Sequence, residues 1–290
     1  MDSVLAGIER LGSKRRARQI LEDERVLSTD FQGAKLYYPS ASIIGSAIAS
    51  GRGWEPTLAT ALDLVLPDDE PLLVVEVGSN IGASLAQMIA VRPRARYVCF
   101  EPADRFRDVL VLNIEENDWE NVQVEGLLVG SRAESVQLFT NTSTASVASR
   151  HYGEHVFLEA STHPMTTLDA YFCDAERLDL VKSDTDGFDF DVLLGAPGVL
   201  ERLAPTLYFE FAPFLARRVD RDGAEVLAYL RDLGYERFLV FAQSGELLTM
   251  TDAAADVLGL ADEQRYVDVL TAARPQHLAA FPDVVAATRG

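Results

Sequence analysis

The run Val74-Val75-Glu76-Val77-Gly78-Ser79-Asn80-Ile81-Gly82 constrains this chain more than any other stretch. Apolar, β-branched residues lead straight into a glycine turn, and the turn opens a segment with helical apolar spacing. Glycine is needed where the backbone takes unusual dihedrals and lets a ligand come close. A buried strand that ends in such a turn and feeds a helix belongs to an open α/β sheet. Ligands bind there beyond the carboxyl ends of the strands, where strand order reverses.

The chain after Leu72 continues the alternation. Short apolar runs predict strands at 72–77, 97–100, 122–128, 178–183, 206–211, 237–241 and 266–270, with a hairpin strand at 135–139. Helical spacing predicts helices at 81–90, 104–116, most of 214–233, and a surface helix at 253–261. Strands alternating with helices imply a mostly parallel sheet covered on both faces. Before Leu72, Leu5, Ile8, Leu11, Ile20 and Leu21 fall at helical spacing, so residues 1–30 read as helix. A turn-rich stretch follows at Tyr37-Tyr38-Pro39-Ser40, then helices at 43–49 and 56–66, with Pro56 suited to a first turn. The expected division is an N-terminal helical cap or lid over 1–70, the α/β domain over 71–275 and a C-terminal tail over 276–290.

The glycine loop is not GxxxxGK[ST], so it is no P-loop, and its Gly-x-x-x-Gly spacing leaves the dinucleotide fingerprint GxGxxG incomplete. Glu76 stands two residues before the first glycine. A carboxylate there would repel a pyrophosphate but suits a ligand with an ammonium group and a sulfonium. Glu101 follows the second strand, about 20 residues past the glycines, where an acid takes both hydroxyls of a ribose.

These motifs resemble the FkbM family of S-adenosylmethionine-dependent methyltransferases. Residues 76–82 resemble its D-x-G-A-N-x-G, Phe100-Glu101-Pro102 its F/Y-E-P, and Asn113 the asparagine of its L-x-x-N. Thr166-Thr167-Leu168-Asp169 resembles T-T-L-D. Residues 182–189 resemble K-I-D-V-E-G-x-E, and Gly53-Trp54-Glu55 resembles the Gly-x-Glu that often precedes the catalytic domain. The match runs in order from about residue 43 to 270. It implies a class I methyltransferase (Rossmann-like) fold, a seven-stranded mostly parallel sheet with its last strand antiparallel. It also implies O-methylation of a sugar, a glycoside or a secondary metabolite. Asp186 and Asp189 are one methylene shorter than the family's glutamates, and Ser183 and Thr185 replace apolar strand residues.

The cofactor-binding candidates are Glu76, Gly78, Ser79, Asn80, Gly82, Glu101, Pro102 and Asp184. Transfer to an alcohol needs a base. Of the four histidines, His277 reads as a surface residue and His163 precedes Pro164 in a loop. His151 and His155 lie between core strands where loops cover substrates in this fold, and His151 is the favoured base. Asp184 and Glu210 end buried strands, and Asp186 could serve the site or cap the helix beginning near Phe188. Together Asp184, Asp186 and Glu210 could hold a divalent ion such as magnesium by oxygen ligands. Trp54 and Glu55 read equally as part of a lid or as a helix-start staple.

Two other functions share parts of this pattern. An NAD-dependent oxidoreductase has the same strand, loop, helix and distal acid, but Glu76 and the missing middle glycine argue against it. A non-catalytic cofactor-binding protein is opposed by acids at three strand ends.

Charge narrows the partners. Against 45 Asp and Glu stand 26 Lys and Arg, a net charge of −19. Such a surface repels phosphate backbones and anionic lipid, so a small-molecule or carbohydrate acceptor is expected rather than nucleic acid or membrane. The basic run Lys14-Arg15-Arg16-Ala17-Arg18 reads as a solvated helix face. The N-terminus lacks a signal peptide's pattern and no apolar run is long enough to cross a bilayer, so a cytoplasmic location is expected. Cys99 and Cys173 sit in apolar contexts and read as buried free thiols. The N-terminal helices could cap the site or mediate a homodimer.

Overall fold

The computed structural model describes residues 26–68, 71–141, 143–147 and 159–288. Its centre is an eight-stranded sheet. The strands are β3 (Leu73–Val77), β4 (Arg96–Phe100), β5 (Val122–Glu125), β10 (Leu180–Ser183), β11 (Thr206–Phe211), β12 (Phe238–Phe241), β13 (Leu247–Thr251) and β14 (Val267–Thr271). They lie in the order β13-β12-β14-β11-β10-β3-β4-β5. β3 pairs in parallel with β4 on one side and β10 on the other, so strand order reverses there. β14 runs antiparallel to β11 and β12, as expected of the last strand. β13 is an eighth strand beyond the seven expected, added antiparallel to β12 at the edge.

The sequence makes this sheet a two-faced core. Along β3, Val75 and Val77 pack with Phe100, Val181 and Phe209 on one face. Val74 packs with Tyr97, Leu180 and Tyr208 on the other. All six residues of β11 are buried, the continuous apolar signature of a strand covered on both sides. Helices α3 (Ala83–Val91) and α4 (Asp104–Glu116) follow β3 and β4 as crossover connections.

Three regions differ from expectation. Val26–Phe31 (β1) and Ala34–Pro39 (β2) form an antiparallel hairpin rather than a helix end and a turn. Gln32 and Gly33, both at positive φ, make its two-residue turn, the geometry that matches strand twist. Asn113, fully buried on α4, accepts the Tyr37 N–H (2.7 Å) and donates to the carbonyls of Tyr37 (2.9 Å) and Ile81 (2.8 Å). One side chain therefore fastens the hairpin to the glycine loop. Helices α1 (Ile43–Ala49) and α2 (Leu58–Val65) follow the hairpin as expected.

In the second region, the expected strand at 122–128 is two strands, β5 and β6 (Leu128–Val129). β6, β7 (Glu134–Thr140), β8 (Ala145–Ser146) and β9 (Glu159–Thr166) build a separate four-stranded sheet in the order β6-β9-β7-β8. The third is the C-terminal tail. It folds into α11 (Pro275–Ala279) and α12 (Phe281–Thr288), with Phe281 and Val284 buried in the core beside α2. His277 is buried, not at the surface, and its Nδ1 lies 2.8 Å from Thr206 Oγ1. Cys99 is buried as expected, but Cys173 is exposed. Among the described residues no helix is long and apolar enough to cross a membrane.

Candidate active site

A cleft opens at the carboxyl ends of β3 and β10, where strand order reverses. Gly78, Asn80, Glu101, Pro102, Asp184 and Asp186 line it on the main-sheet side. Phe106, Leu128, Leu138 and Val147 line it apolarly, several of them from the second sheet. Its space, open mouth included, is about 580 Å³.

The glycine loop is shaped by contact. Gly78 has φ +83°, and a Cβ there would collide with the carbonyl oxygen of Asp184. Gly82 has φ +85°, and a Cβ would come within 2.7 Å of Leu110. The N–H groups of Gly78 and Ser79 both donate to the Phe100 carbonyl, at 3.0 and 3.2 Å, and the Asp184 N–H donates to the Val77 carbonyl at 3.1 Å. The ends of β3, β4 and β10 are thereby held together with no side chain between them.

Glu101 follows β4 and lines the cleft. It is buried, and its two oxygens accept the N–H groups of Asn80 (2.8 Å) and Ala103 (2.9 Å). Burial raises its pKa to about 7, and those two hydrogen bonds act against the rise.

Glu76 is placed differently from its expected cofactor role. Alternation along β3 turns its side chain away from the cleft, to the face bearing Val74 and Tyr97. There it meets Lys182 at 3.7 Å and accepts from Cys99 Sγ at 3.7 Å. Burial lifts its pKa to about 7, while Lys182 draws it down. Ser79 and Gly82 shape the loop but do not line the cleft; Gly78, Asn80, Pro102 and Asp184 do.

Lys182 and Glu55 form the centre that sequence reasoning did not assemble. Lys182, fully buried, lies 3.1 Å from Glu55, 3.5 Å from Asp184 and 3.7 Å from Glu76, and donates to Ser84 Oγ at 3.2 Å. Burial opposes its charge, yet these carboxylates hold it protonated. Glu55 also accepts from Ser84, and the Trp54 carbonyl accepts from Gln87 at 2.8 Å. The Gly53-Trp54-Glu55 motif is thus docked onto the main sheet and the helix after β3. The Gly-x-Glu and the lysine of residues 182–189 were the signals, but nothing in the sequence joined them.

The turn after β10 is built by Asp189. It accepts from Ser183 Oγ (2.5 Å), the Thr185 N–H (3.1 Å) and the Gly187 N–H (3.2 Å). Burial, then repulsion from Asp184, brings it to about 7. Helix α6 (Asp189–Leu194) starts at Phe188 with no side-chain cap, so Asp186 does not cap it. Instead Asp186, at φ 55°, lines the cleft and accepts from Thr144 Oγ1. Asn80 Nδ2 donates to the Ser143 carbonyl at 3.2 Å, so the 143–147 segment lies against the glycine loop.

The metal expectation is not supported. Among the described residues no three His, Cys, Asp or Glu side chains form a group able to hold a metal ion. Asp184, Asp186 and Glu210 are neighbours without converging on one point. His151, His155 and the basic run at 14–18 lie outside the described residues. His163 is in β9 opposite Val136, not in a loop.

The model of the methyltransferase FkbM domain matches residues 76–237, more than half of the chain. The chain belongs to the FkbM methyltransferase family. The matched FkbM span begins at Glu76 and takes in the glycine loop, Glu101 and the Lys182–Asp189 turn. No curated protein matches the chain. Similar solved structures include the precorrin-6y C5,15-methyltransferase from Geobacter metallireducens GS-15, 12% identical, covering 74% of this chain and 86% of that one with a TM-score of 0.39. Another is an rRNA methylase from Streptococcus thermophilus, 13% identical, covering 80% and 100%, with a TM-score of 0.39. TYW2 from M. jannaschii in complex with AdoMet is 11% identical, covering 86% of each chain, with a TM-score of 0.40.

Proposed function

We propose that this FkbM methyltransferase binds S-adenosylmethionine in the cleft and methylates a hydroxyl of a sugar, glycoside or secondary metabolite. The observation that carries the reading is the composition of the cleft at the strand-order reversal. It joins a glycine wall at Gly78, a buried carboxylate at Glu101 and two further carboxylates, Asp184 and Asp186.

The residues fit the cofactor by their chemistry. Glu101 already accepts two N–H groups, and as a carboxylate it has lone pairs left for the two hydroxyls of a ribose. The apolar side chains Phe106, Leu128 and Leu138 suit an adenine. Side-chain-free Gly78 lets the chain's polar backbone approach the ligand. When bound, S-adenosylmethionine supplies a methyl group on a good sulfonium leaving group.

What remains for the protein is alignment, exclusion of water and removal of a proton. Asp184 and Asp186 line the cleft and are the carboxylates that would take the proton of an acceptor hydroxyl, with Lys182 3.5 Å from Asp184. A neutral alcohol needs such a base, and this supports oxygen as the methylated atom. His151 remains a second candidate base.

Calorimetric titration with S-adenosylhomocysteine and with NAD tests the cofactor. The homocysteine compound should bind and NAD should not; NAD binding alone would restore the oxidoreductase. Methyl transfer to a panel of glycosides, with Asp184→Asn and Asp186→Asn, tests the base. Undiminished turnover in both variants would remove it from these two residues.

A further inference from the structure

Beside the cleft, the carboxyl ends of β10, β11 and β14 carry more buried acid than the fold neutralises. Glu210 and Asp268 face each other directly across the antiparallel β11–β14 pair. Like charges opposite one another in a sheet are destabilising. Asp184 and Asp186 lie near Glu210 on the cleft side, and Glu55 and Asp184 act on Asp268.

Among the described residues the ion pairs of this cluster all run to one cation, Lys182, already shared by Glu55, Glu76 and Asp184. Glu210 is 9% exposed, and its Oε1 is out of contact with solvent and has no hydrogen-bond partner among the described residues. A buried carboxylate oxygen in that state costs free energy until something pairs with it. The surroundings are open on one side: Asp268 and Tyr266 are only half-buried. Tyr208, buried below, bonds to Asp268.

We propose that the acceptor bears an ammonium group, which sits against Glu210 and Asp268 while its hydroxyl reaches the Asp184–Asp186 end of the cleft. The proposal rests on the methyltransferase reading above and names its substrate class: amino sugars, aminocyclitols or other hydroxylated amines. A cation supplies the donors that Glu210 lacks and relieves the repulsion between Glu210 and Asp268. A neutral polyol does not relieve it, and a phosphorylated acceptor adds to it. Burial and the surrounding carboxylates raise the pKa of Glu210 well above the ordinary range in the absence of a ligand. An ammonium group would favour the ionised carboxylate and reverse that rise, so binding of the amine should release protons.

The test uses the full chain loaded with S-adenosylhomocysteine. A panel of amino sugars and aminocyclitols, each beside its N-acetylated counterpart, is titrated calorimetrically. At least one amine should bind about tenfold or more tightly than its acetamide, the size of one good charge-assisted contact. Glu210→Gln should erase that preference and Glu210→Asp should keep part of it. Asp268→Asn serves as the second variant and should weaken the same preference. Without ligand, both neutral variants should also lose less melting temperature than the parent as pH rises, because burial makes ionisation of Glu210 and Asp268 costly in the fold. If no amine binds more tightly than its acetamide, the proposal is overturned and the methyltransferase reading stands. It is also overturned if Glu210→Gln weakens S-adenosylmethionine and spares S-adenosylhomocysteine, since the acids would then serve the sulfonium. Failure of the parent to bind S-adenosylhomocysteine would instead overturn the cofactor reading.

Discussion

Replacing Gly78 by alanine tests the glycine wall. Gly78 has φ +83°, and an L-residue held in the left-handed region costs about 1–2 kcal/mol. The new Cβ would also collide with the Asp184 carbonyl oxygen. That carbonyl belongs to backbone tied to β3 by the Asp184 N–H bond to Val77 at 3.1 Å, so it cannot give way as a flexible side chain would. Overpacking of this kind adds about 1–3 kcal/mol, for a total near 2–5 kcal/mol. Gly51 provides the control, with φ +80° and nothing within 4 Å of its Cβ position. Gly51→Ala should therefore cost only the backbone share, about 1–2 kcal/mol. Urea unfolding of both variants, extrapolated linearly to water, gives the difference, and calorimetry gives the affinity for S-adenosylhomocysteine. Gly78→Ala should lose more stability than Gly51→Ala by about 1–3 kcal/mol and should bind the ligand at least tenfold more weakly. Equal stability losses with parental affinity in Gly78→Ala would refute the idea that contact between β3 and β10 requires the glycine.

Asn113→Ala leaves the Tyr37 N–H and two carbonyls unpaired in a buried setting, so chemical denaturation should show a loss of about 2–4 kcal/mol. Lys182→Met leaves Glu55, Glu76 and Asp184 without their cation. It should cost about 3–5 kcal/mol near neutrality, with part of the loss recovered on acidification as the carboxyls protonate; a loss independent of pH would contradict this. Glu76, Glu101 and Asp189 each have their pKa raised to about 7 by burial. Their stability contribution is full below the ordinary carboxylate value and is lost as pH rises through 7. Melting curves of Glu101→Gln and parent between about pH 5 and 8 should show a shallower decline in the variant. Because Glu101 must be ionised to accept two hydroxyls, affinity for S-adenosylhomocysteine should rise in the parent as pH passes 7, and Glu101→Gln should flatten that rise.

The chemistry-bearing loops were legible because their signals are local. Val74–Val77 are continuous and apolar, the glycines follow at once, and Glu101 ends the next strand. Each depends on a few neighbouring residues and on the backbone rules for strand, turn and helix. The hairpin was missed because Gln32-Gly33 is a weak turn signal beside a long helical-looking segment. β9 was missed because Pro164 demotes a strand, although it tolerates its place opposite Ser135. The tail was misread because its short helices become ordered by packing Phe281 and Val284 on the core, which no local pattern announces.

By itself the sequence determined the α/β architecture, the reversal point at β3 and β10, the family and the Gly78–Glu101 half of the cleft. Only the tertiary structure decided which way Glu76 faces, which acids Lys182 neutralises and which acid it leaves unpaired. The physical reason is range. Propensity and glycine geometry act over a few residues, whereas burial and Coulomb interaction depend on distance in space. Glu55, Lys182 and Glu210 are far apart along the chain, and their charge balance exists only once the strands place them together.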